Sequence, residues 1–124
     1  MNFELTEEQK MVRETIREFA EAEIKPGGME RDEKAQFPTE VVQKLAELGF
    51  MGMQVPEAYG GTEMDAVSYA ITLEEVARVD ASTCVIMSVN NSLFSNPILK
   101  FGSEYLKNKY LPLTSSGEKL GAYS

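Results

Sequence analysis

The stretch that decides the fold is Ser82-Thr83-Cys84-Val85-Ile86-Met87-Ser88-Val89-Asn90-Asn91-Ser92-Leu93. Ser82 or Thr83 is expected to cap a helix at its start. The apolar side chains fall on nearly every side of that helix, and they are Val85, Ile86, Met87, Val89 and Leu93. A helix that is apolar all round is typically buried, whereas a surface helix has one polar face. This stretch therefore predicts a central helix that other helices cover.

Before the central helix, the sequence first predicts an amphipathic helix and then a loop. Thr6 followed by Gln9 is a capping-box pattern, which marks the start of the helix. The helix must end near Lys25, because Pro26-Gly27-Gly28 cannot continue it. The charged residues 30–34 that follow are predicted to form a loop.

Two further helices are predicted between this loop and the central helix. One opens at Phe37-Pro38 and ends at Gly49, with Val41, Val42, Leu45 and Leu48 as its expected buried side. The other is capped by Asp65 and runs from Ala66 to about Val79. The residues between these helices, Phe50 to Gly61, are interrupted by glycine and proline and are expected to be irregular.

After the central helix, the chain is expected to contain two short helices and a loop. Pro97 to Lys100 reads as a short helical turn. Ser103 is expected to cap a last helix from Glu104 to Leu111, which Pro112 should stop, and Thr114 to Lys119 reads as a polar loop. Together these patterns predict an all-α fold, an up-and-down bundle of about six helices.

The last residues, Leu120-Gly121-Ala122-Tyr123-Ser124, have a different pattern, because small and aromatic residues alternate without a helical period. This alternation predicts the beginning of a β-strand. A strand needs a partner for its backbone hydrogen bonds, so we expect the natural protein to continue. The predicted division is a helical domain over residues 1–119 and the start of a second, truncated domain over residues 120–124.

Composition excludes several classes of function. The 124 residues carry 20 acidic and 12 basic side chains, a net charge of −8, and no histidine. This balance disfavours nucleic acid and an anionic membrane surface as partners. The single cysteine, Cys84, permits no internal disulfide and is expected to be a buried filler in its apolar surroundings. The N-terminus has no basic stretch leading into an apolar run, so a cytoplasmic location is expected.

Three pairs of residues could carry chemistry, and each has a structural alternative. Gly60-Gly61 lacks the further residues of a phosphate-binding loop and is expected to form a turn. Glu74 and Glu75 point about 100° apart on a helix, so a solvated helix face, or a salt bridge from one of them to Arg78, is favoured over a catalytic pair. Asn90-Asn91 are either hydrogen bonded to neighbouring backbone or form the polar edge of a ligand cavity. No residue of the chain is predicted to be catalytic or to bind a metal.

Seven short blocks, read in order, resemble the N-terminal domain of the acyl-CoA dehydrogenase family. The most specific is Val55-Pro56-Glu57-Ala58-Tyr59-Gly60-Gly61. The others are Leu5-Thr6-Glu7-Glu8-Gln9, Phe37-Pro38 with Leu45, Leu48 and Gly49, Glu74-Glu75-Val76-Ala77-Arg78 with Ala81-Ser82-Thr83, Pro97-Ile98-Leu99-Lys100-Phe101-Gly102-Ser103, Lys109-Tyr110-Leu111-Pro112 and Ser116-Gly117-Glu118-Lys119. The segment from Ile86 to Leu93 is similar to the short-chain, butyryl-CoA-type members.

This resemblance implies a flavoprotein oxidoreductase of fatty acid metabolism that removes hydrogens from the α and β carbons of an acyl-CoA thioester. It implies FAD as the cofactor, an electron-transfer flavoprotein as the partner that reoxidises it, and a homotetramer. The family architecture is a helical N-terminal domain, a middle β-domain and a C-terminal helical bundle, which carries the glutamate base in most members. By resemblance, Tyr123 and Ser124 contact the flavin, and Ile86, Val89 and Leu93 line the acyl pocket.

Two other functions remain open at this point. One is an acyl-CoA oxidase-like flavoenzyme, because the N-terminal domain barely distinguishes oxidases from dehydrogenases. The other is a non-enzymatic helical module whose apolar central helix binds a partner. The sequence alone does not fix the acyl-chain length or the electron acceptor, and the segment by itself is expected to be inactive.

Overall fold

The computed structural model describes all residues, 1–124, and contains helices but no strand. The seven α-helices are α1 (Glu7–Phe19), α2 (Gly28–Glu33), α3 (Thr39–Glu47), α4 (Ala66–Ala77), α5 (Ala81–Ser88), α6 (Asn96–Phe101) and α7 (Glu104–Ser115). Two π-helical segments, Ala20–Ile24 and Val89–Ser95, extend α1 and α5, and short 3₁₀ turns occupy Lys25–Gly27 and Glu57–Tyr59. The prediction of an all-α fold is confirmed.

The helix starts largely follow the capping signals in the sequence. The Gln9 N–H donates to the Thr6 hydroxyl oxygen at 3.2 Å, and the Thr6 N–H donates to Gln9 Oε1 at 3.0 Å, which completes the capping box. Asp65 and Ser103 cap α4 and α7 as predicted. The cap of α5 is Asp80 rather than Ser82 or Thr83. Its carboxylate accepts from the Ser82 N–H and from the Thr83 hydroxyl, so one acidic side chain satisfies both.

Residues 28–33 form the short helix α2, so the loop predicted over residues 30–34 is wrong. An ion pair between Lys34 and Glu30 at 2.5 Å spans one turn at its end. Arg31 also donates from Nη2 to the Ile24 carbonyl oxygen at 2.7 Å, which ties α2 to the end of the preceding helix. Charge alone therefore does not indicate a loop here, because these charges are paired along and across helical turns.

The core lies between α1, α3, α4, α5 and the irregular segment after α3. Its buried members are Ile16, Ala20, Ile24, Val41, Val42, Leu45, Ala46, Phe50, Met51, Met53, Val76 and Met87. Burial of each large side chain in this cluster contributes roughly 1.5–3 kcal/mol relative to leaving it in water. None of the helices combines the length and the apolar character that crossing a lipid bilayer requires.

Helix α7 continues through Pro112 to Ser115, although the sequence predicts a stop at that proline. Proline removes one helical N–H donor. Leu111, Thr114 and Ser115 are nevertheless buried, and the Thr114 hydroxyl lies 3.3 Å from the Tyr110 and Leu111 carbonyl oxygens. Packing of this last turn therefore outweighs the local cost of proline.

Two expectations about burial are also wrong. The stretch Val85–Leu93 is covered on one side only: Met87 is fully buried, whereas Val85 is 59% exposed and Leu93 is 47% exposed. In the earlier helix, Leu48 is 47% exposed rather than buried. An apolar sequence pattern indicates which side chains favour burial. Val85 and Leu93 stay exposed because no element of this chain covers the outer side of α5 and its π-extension.

Residues 120–124 carry no regular secondary structure, so the predicted strand is not formed in this chain. A strand requires a ladder with a neighbouring strand, and the chain contains none. The division into residues 1–119 and 120–124 stays a prediction.

Candidate functional site

The helix that carries the predicted pocket residues changes its geometry at Val89. Over Val89–Ser95 it is π-helical, and the Asn96 N–H donates to the Asn91 carbonyl, five residues earlier. Side chains reach the carbonyl groups at the junction: the Ser92 hydroxyl donates to the Ser88 oxygen at 2.6 Å, and Asn91 Nδ2 donates to the Met87 oxygen at 3.0 Å. Such π-segments often occur at functional sites.

Asn90, the second residue of this π-segment, is completely buried and joins three distant parts of the chain. Its Nδ2 group donates to the Met51 carbonyl oxygen at 2.9 Å and to the Thr114 carbonyl oxygen at 3.2 Å. Its Oδ1 atom accepts from the Gly121 N–H at 2.9 Å. The C-terminal segment, residues 120–124, is thus attached to the π-segment at Gly121.

Phe94, four residues further along the π-segment, packs against the same glycine. A Cβ atom built on Gly121 would overlap the Phe94 ring, so no larger residue fits here without displacing that ring. The ring meets Tyr110 edge-on, with their centroids 6.3 Å apart and the planes at 89°. A hydrogen bond from Gly121 to Asn90 and a close packing contact with Phe94 therefore hold Gly121 in place.

Asn91 is equally buried but bonds to a different region. Its Oδ1 accepts from the Met53 N–H at 2.9 Å, and its Nδ2 donates to the Phe50 oxygen at 3.0 Å in addition to Met87. Of the two interpretations of Asn90-Asn91, hydrogen bonding to neighbouring backbone is therefore confirmed. The sequence did not predict that Asn90 anchors the C-terminal segment, because no local pattern links residues 31 positions apart.

The predicted pocket residues Ile86, Val89 and Leu93 lie on α5 and its π-extension. Ile86 and Val89 are half-buried, and Leu93 is exposed. The argument that places them on one face uses the α-helical period, which does not hold between Val89 and Leu93, where the helix is π. Their role in an acyl pocket stays a prediction.

The predicted flavin contacts, Tyr123 and Ser124, lie at the end of the C-terminal segment. Tyr123 is 72% exposed, Ser124 is also exposed, and neither side chain makes a hydrogen bond within the chain. Through Gly121 and Asn90 their segment is fixed next to the π-segment that carries Val89 and Leu93. The structure thus places the start of the C-terminal segment beside the π-segment, and the two predicted roles stay predictions.

Two depressions on the surface lie elsewhere, with volumes of about 690 and 640 Å³. They share Arg31, Gln36 and Pro38, between α2 and α3. Arg31 is engaged there by the Ile24 carbonyl and by Asp80, at 2.7 and 3.3 Å from its Nη2 atom. None of the five residues predicted for the flavin or the acyl chain lines either depression.

Glu75 is a structural residue rather than an acid or base. Its side chain is 4% exposed, and its carboxylate accepts from Arg17 Nε and Nη2 at 2.9 and 2.6 Å. The Arg78 Nε atom lies at 3.4 Å, so the predicted salt bridge to Arg78 is confirmed. Hydrogen bonds from Arg17 hold the pKa of Glu75 below its ordinary value, against the opposing effect of burial. The neighbouring Glu74 points to solvent, with 73% of its side chain exposed.

Cys84 is half-buried, and its thiol lies 3.4 Å from the Leu73 carbonyl oxygen. Burial raises the pKa of the Cys84 thiol, which keeps it protonated at neutral pH. Because the thiolate is the nucleophilic form, this environment agrees with the predicted packing role.

Comparison with known proteins gives a consistent result. The family profile described as "Acyl-CoA dehydrogenase, N-terminal domain" matches residues 6–118. The short-chain specific acyl-CoA dehydrogenase, mitochondrial, of Rattus norvegicus is 46% identical over 121 residues, which are 98% of this chain and 29% of that protein.

Two solved structures share the fold. Butyryl-CoA dehydrogenase from Megasphaera elsdenii superimposes with a TM-score of 0.90 at 36% identity, over 98% of this chain and 32% of that one. An acyl-CoA dehydrogenase complexed with FAD from Bacillus anthracis has a TM-score of 0.88 at 35% identity, over 95% of this chain and 21% of that one.

The chain therefore spans less than a third of the length of these relatives. The profile match covers nearly all of the chain, and the two solved members share its helical fold. The chain belongs to the acyl-CoA dehydrogenase family, in which it corresponds to the N-terminal domain.

Proposed function

We propose that this chain acts as the N-terminal helical domain of an FAD-dependent acyl-CoA dehydrogenase that oxidises short-chain acyl-CoA thioesters. The named activities of the rat and Megasphaera relatives support the reaction and the short-chain preference. The domain contributes one wall of the acyl pocket, formed by Ile86, Val89 and Leu93. By resemblance to the family, the base comes from another part of the protein, and the carboxylates of Glu74 and Glu75 do not form a catalytic pair.

The observation that carries the proposal is the attachment of the C-terminal segment to the π-segment. The Gly121–Asn90 hydrogen bond, at 2.9 Å, fixes the chain two residues before Tyr123. This arrangement supports a shared site in which one chain segment faces the flavin and the neighbouring helix faces the acyl group. The apolar, partly exposed side chains on that helix suit a short hydrocarbon chain.

The residues of the C-terminal segment fit a contact with FAD. Tyr123 offers an exposed aromatic face, and the exposed Ser124 hydroxyl has no partner in the chain, so both are available to a ligand. When bound, FAD would supply the acceptor for the hydride that leaves the β-carbon of the substrate. Two residues cannot hold a dinucleotide alone, so the proposal places the remainder of the FAD site outside this domain.

Further proposals follow from the family. In a protein of the relatives' length, we propose that an electron-transfer flavoprotein reoxidises the flavin and that four copies assemble into a tetramer. The expected cytoplasmic location also stays a proposal, and the rat relative is named as mitochondrial.

The acyl pocket is tested by shortening its predicted lining in a protein of the relatives' length. Leu93→Ala and Val89→Ala should each improve the use of C8 relative to C4 thioesters, because removing methyl groups deepens a pocket that a longer chain can fill. A change of about 10-fold in the ratio of kcat/KM values is expected, since one or two methylene groups are worth roughly 1–3 kcal/mol.

Val85→Ala is the matched control, because Val85 lies on the same helix, is 59% exposed and is not among the predicted pocket residues. It should leave the C8 to C4 ratio unchanged. If Leu93→Ala, Val89→Ala and the double variant all leave that ratio as in the wild type, the helix does not line the pocket.

The two alternative functions are not favoured by the comparisons. The relatives and solved structures are named as dehydrogenases, and the matched family is an enzyme family. An oxidase would be distinguished by hydrogen peroxide release at a rate that matches substrate turnover in air. A non-enzymatic module would show no turnover with any acyl-CoA.

A further inference from the structure

Asn90 is one of the few polar side chains with no exposure to solvent, and its three hydrogen bonds all cross long distances in the sequence. They reach Met51, Thr114 and Gly121, which are 39, 24 and 31 residues away. A buried amide of this kind needs all of its partners, because an unsatisfied polar group costs roughly 1–3 kcal/mol.

The chemistry of these partners fixes the orientation of the amide. Two carbonyl oxygens, those of Met51 and Thr114, surround the nitrogen, and a carbonyl oxygen can only accept a hydrogen bond. The Asn90 oxygen therefore faces the third partner, the Gly121 N–H, which can only donate. Asparagine satisfies both requirements, whereas aspartate would place a charged oxygen beside two carbonyl groups.

A second contact restricts the same point of the C-terminal segment. Gly121 is buried, and the Phe94 ring occupies the place that a side chain there would take. The hydrogen bond fixes the direction of the Gly121 N–H, and the ring fixes how closely the backbone approaches the π-segment. The position of Gly121 along the helix is thus set by two residues of the π-segment, Asn90 and Phe94.

This position decides which way Tyr123 and Ser124 face. A shift of the segment by one residue would move Tyr123 into the place of Ser124, or Ser124 into the place of Tyr123, so the side chains presented at those places would change. We propose that Asn90 is a positioning residue: through Gly121 it sets the register in which the C-terminal segment presents Tyr123 and Ser124 to the flavin. This inference rests on the proposed function, and Asn90 itself does not contact the reacting groups.

Asn91 provides a matched control, because it is also buried and also makes three hydrogen bonds, all to residues outside the C-terminal segment. Asn90→Leu and Asn91→Leu each remove one buried amide from the same π-segment. Hydrogen exchange of the Gly121 amide in the 124-residue chain should be about 10-fold faster in Asn90→Leu, which corresponds to the loss of one hydrogen bond of about 1.4 kcal/mol. It should keep the wild-type rate in Asn91→Leu, after both are normalised to a core amide such as that of Leu45.

Flavin binding gives the second readout, in a protein of the relatives' length. Asn90→Leu should raise the Kd for FAD about 10-fold and shift the visible flavin absorbance, whereas Asn91→Leu should retain both wild-type values even where it lowers the Tm. If Asn90→Leu does not fold, Gly121→Ala decides, because it displaces the segment from Phe94 while leaving Asn90 in place. Gly121→Ala should raise the Kd for FAD and shift the flavin absorbance, as expected for Asn90→Leu.

Equal exchange rates for Gly121 in Asn90→Leu, Asn91→Leu and the wild type would overturn the anchoring role. Equal effects of Asn90→Leu and Asn91→Leu on FAD binding would overturn the positioning role, since both would then act through stability alone. Failure of the wild-type protein to bind FAD would instead contradict the proposed function, and the exchange measurement would still decide whether Asn90 anchors the segment.

Discussion

Replacing Glu75 with glutamine should destabilise the domain far more than the same change at the adjacent Glu74. Glu75 joins α4 to α1, and its carboxylate accepts from Arg17 Nε and Nη2 at 2.9 and 2.6 Å. The Arg78 and Arg13 Nε atoms lie at 3.4 and 3.8 Å from it. With 4% of its side chain exposed, this carboxylate has little water to replace those donors.

The expected loss follows from the hydrogen bonds. A glutamine of the same shape keeps one oxygen that can accept from Arg17, but its amide nitrogen then faces the second arginine donor. One charge-assisted hydrogen bond is lost, and such bonds contribute about 1.5–3 kcal/mol. We therefore expect the free energy of unfolding to fall by about 2 kcal/mol in Glu75→Gln. Glu74 pairs only with Arg13, at 3.8 Å and largely in solvent, so Glu74→Gln should cost less than about 1 kcal/mol.

The pH dependence provides a second test of the same interaction. The pKa of Glu75 is lower in the folded chain than its ordinary value of 4.5, first because of the hydrogen bonds from Arg17. Its stabilising effect is therefore fully present above the ordinary pKa and is lost as the pH falls through the lower, folded pKa. The difference in stability between wild type and Glu75→Gln should be constant near neutral pH and shrink in acid below about pH 4.5.

Urea unfolding, followed by far-UV circular dichroism at a series of pH values, measures both quantities. The reasoning is refuted if Glu74→Gln and Glu75→Gln are equally destabilised at neutral pH. It is also refuted if the difference between wild type and Glu75→Gln stays unchanged through the acid range in which the wild type remains folded.

Two further predictions concern the chain as it stands. The 124-residue chain purified without added cofactor should be colourless and should not oxidise butyryl-CoA, because catalysis requires base, thioester and flavin held together, and this domain supplies none of them complete; stoichiometric flavin absorbance would contradict this. It should also bind hydrophobic dyes or self-associate, since Val85, Leu93, Phe101, Tyr105, Leu120 and Tyr123 are between 43% and 86% exposed. Dye fluorescence measures the binding, and sedimentation velocity measures the self-association. A monomer that binds no dye would contradict the prediction that these side chains form an exposed apolar surface.

The sequence by itself determined the local features of this protein. The capping box of Thr6 and Gln9, the caps Asp65 and Ser103, and the helix stop at Gly49 were all predictable, because each depends on residues within about four positions of one another. The order of motifs also indicated the family, which the comparisons confirm. Local rules gave wrong predictions at two places. Helix α7 continues through Pro112, and the charged stretch predicted as a loop forms α2.

Only the tertiary structure decided which distant groups meet. The sequence suggested Arg78 as a partner of either Glu74 or Glu75. It did not suggest Arg17, which is 58 residues from Glu75 and makes the shorter bonds. It left Asn90 with two interpretations, because a buried amide shows that partners exist and not which ones they are. Those partners, Met51, Thr114 and Gly121, come together only when α5, α7 and the segment after α3 close around the core. Contacts of this kind depend on the packing of the whole chain, and no short sequence window contains that information.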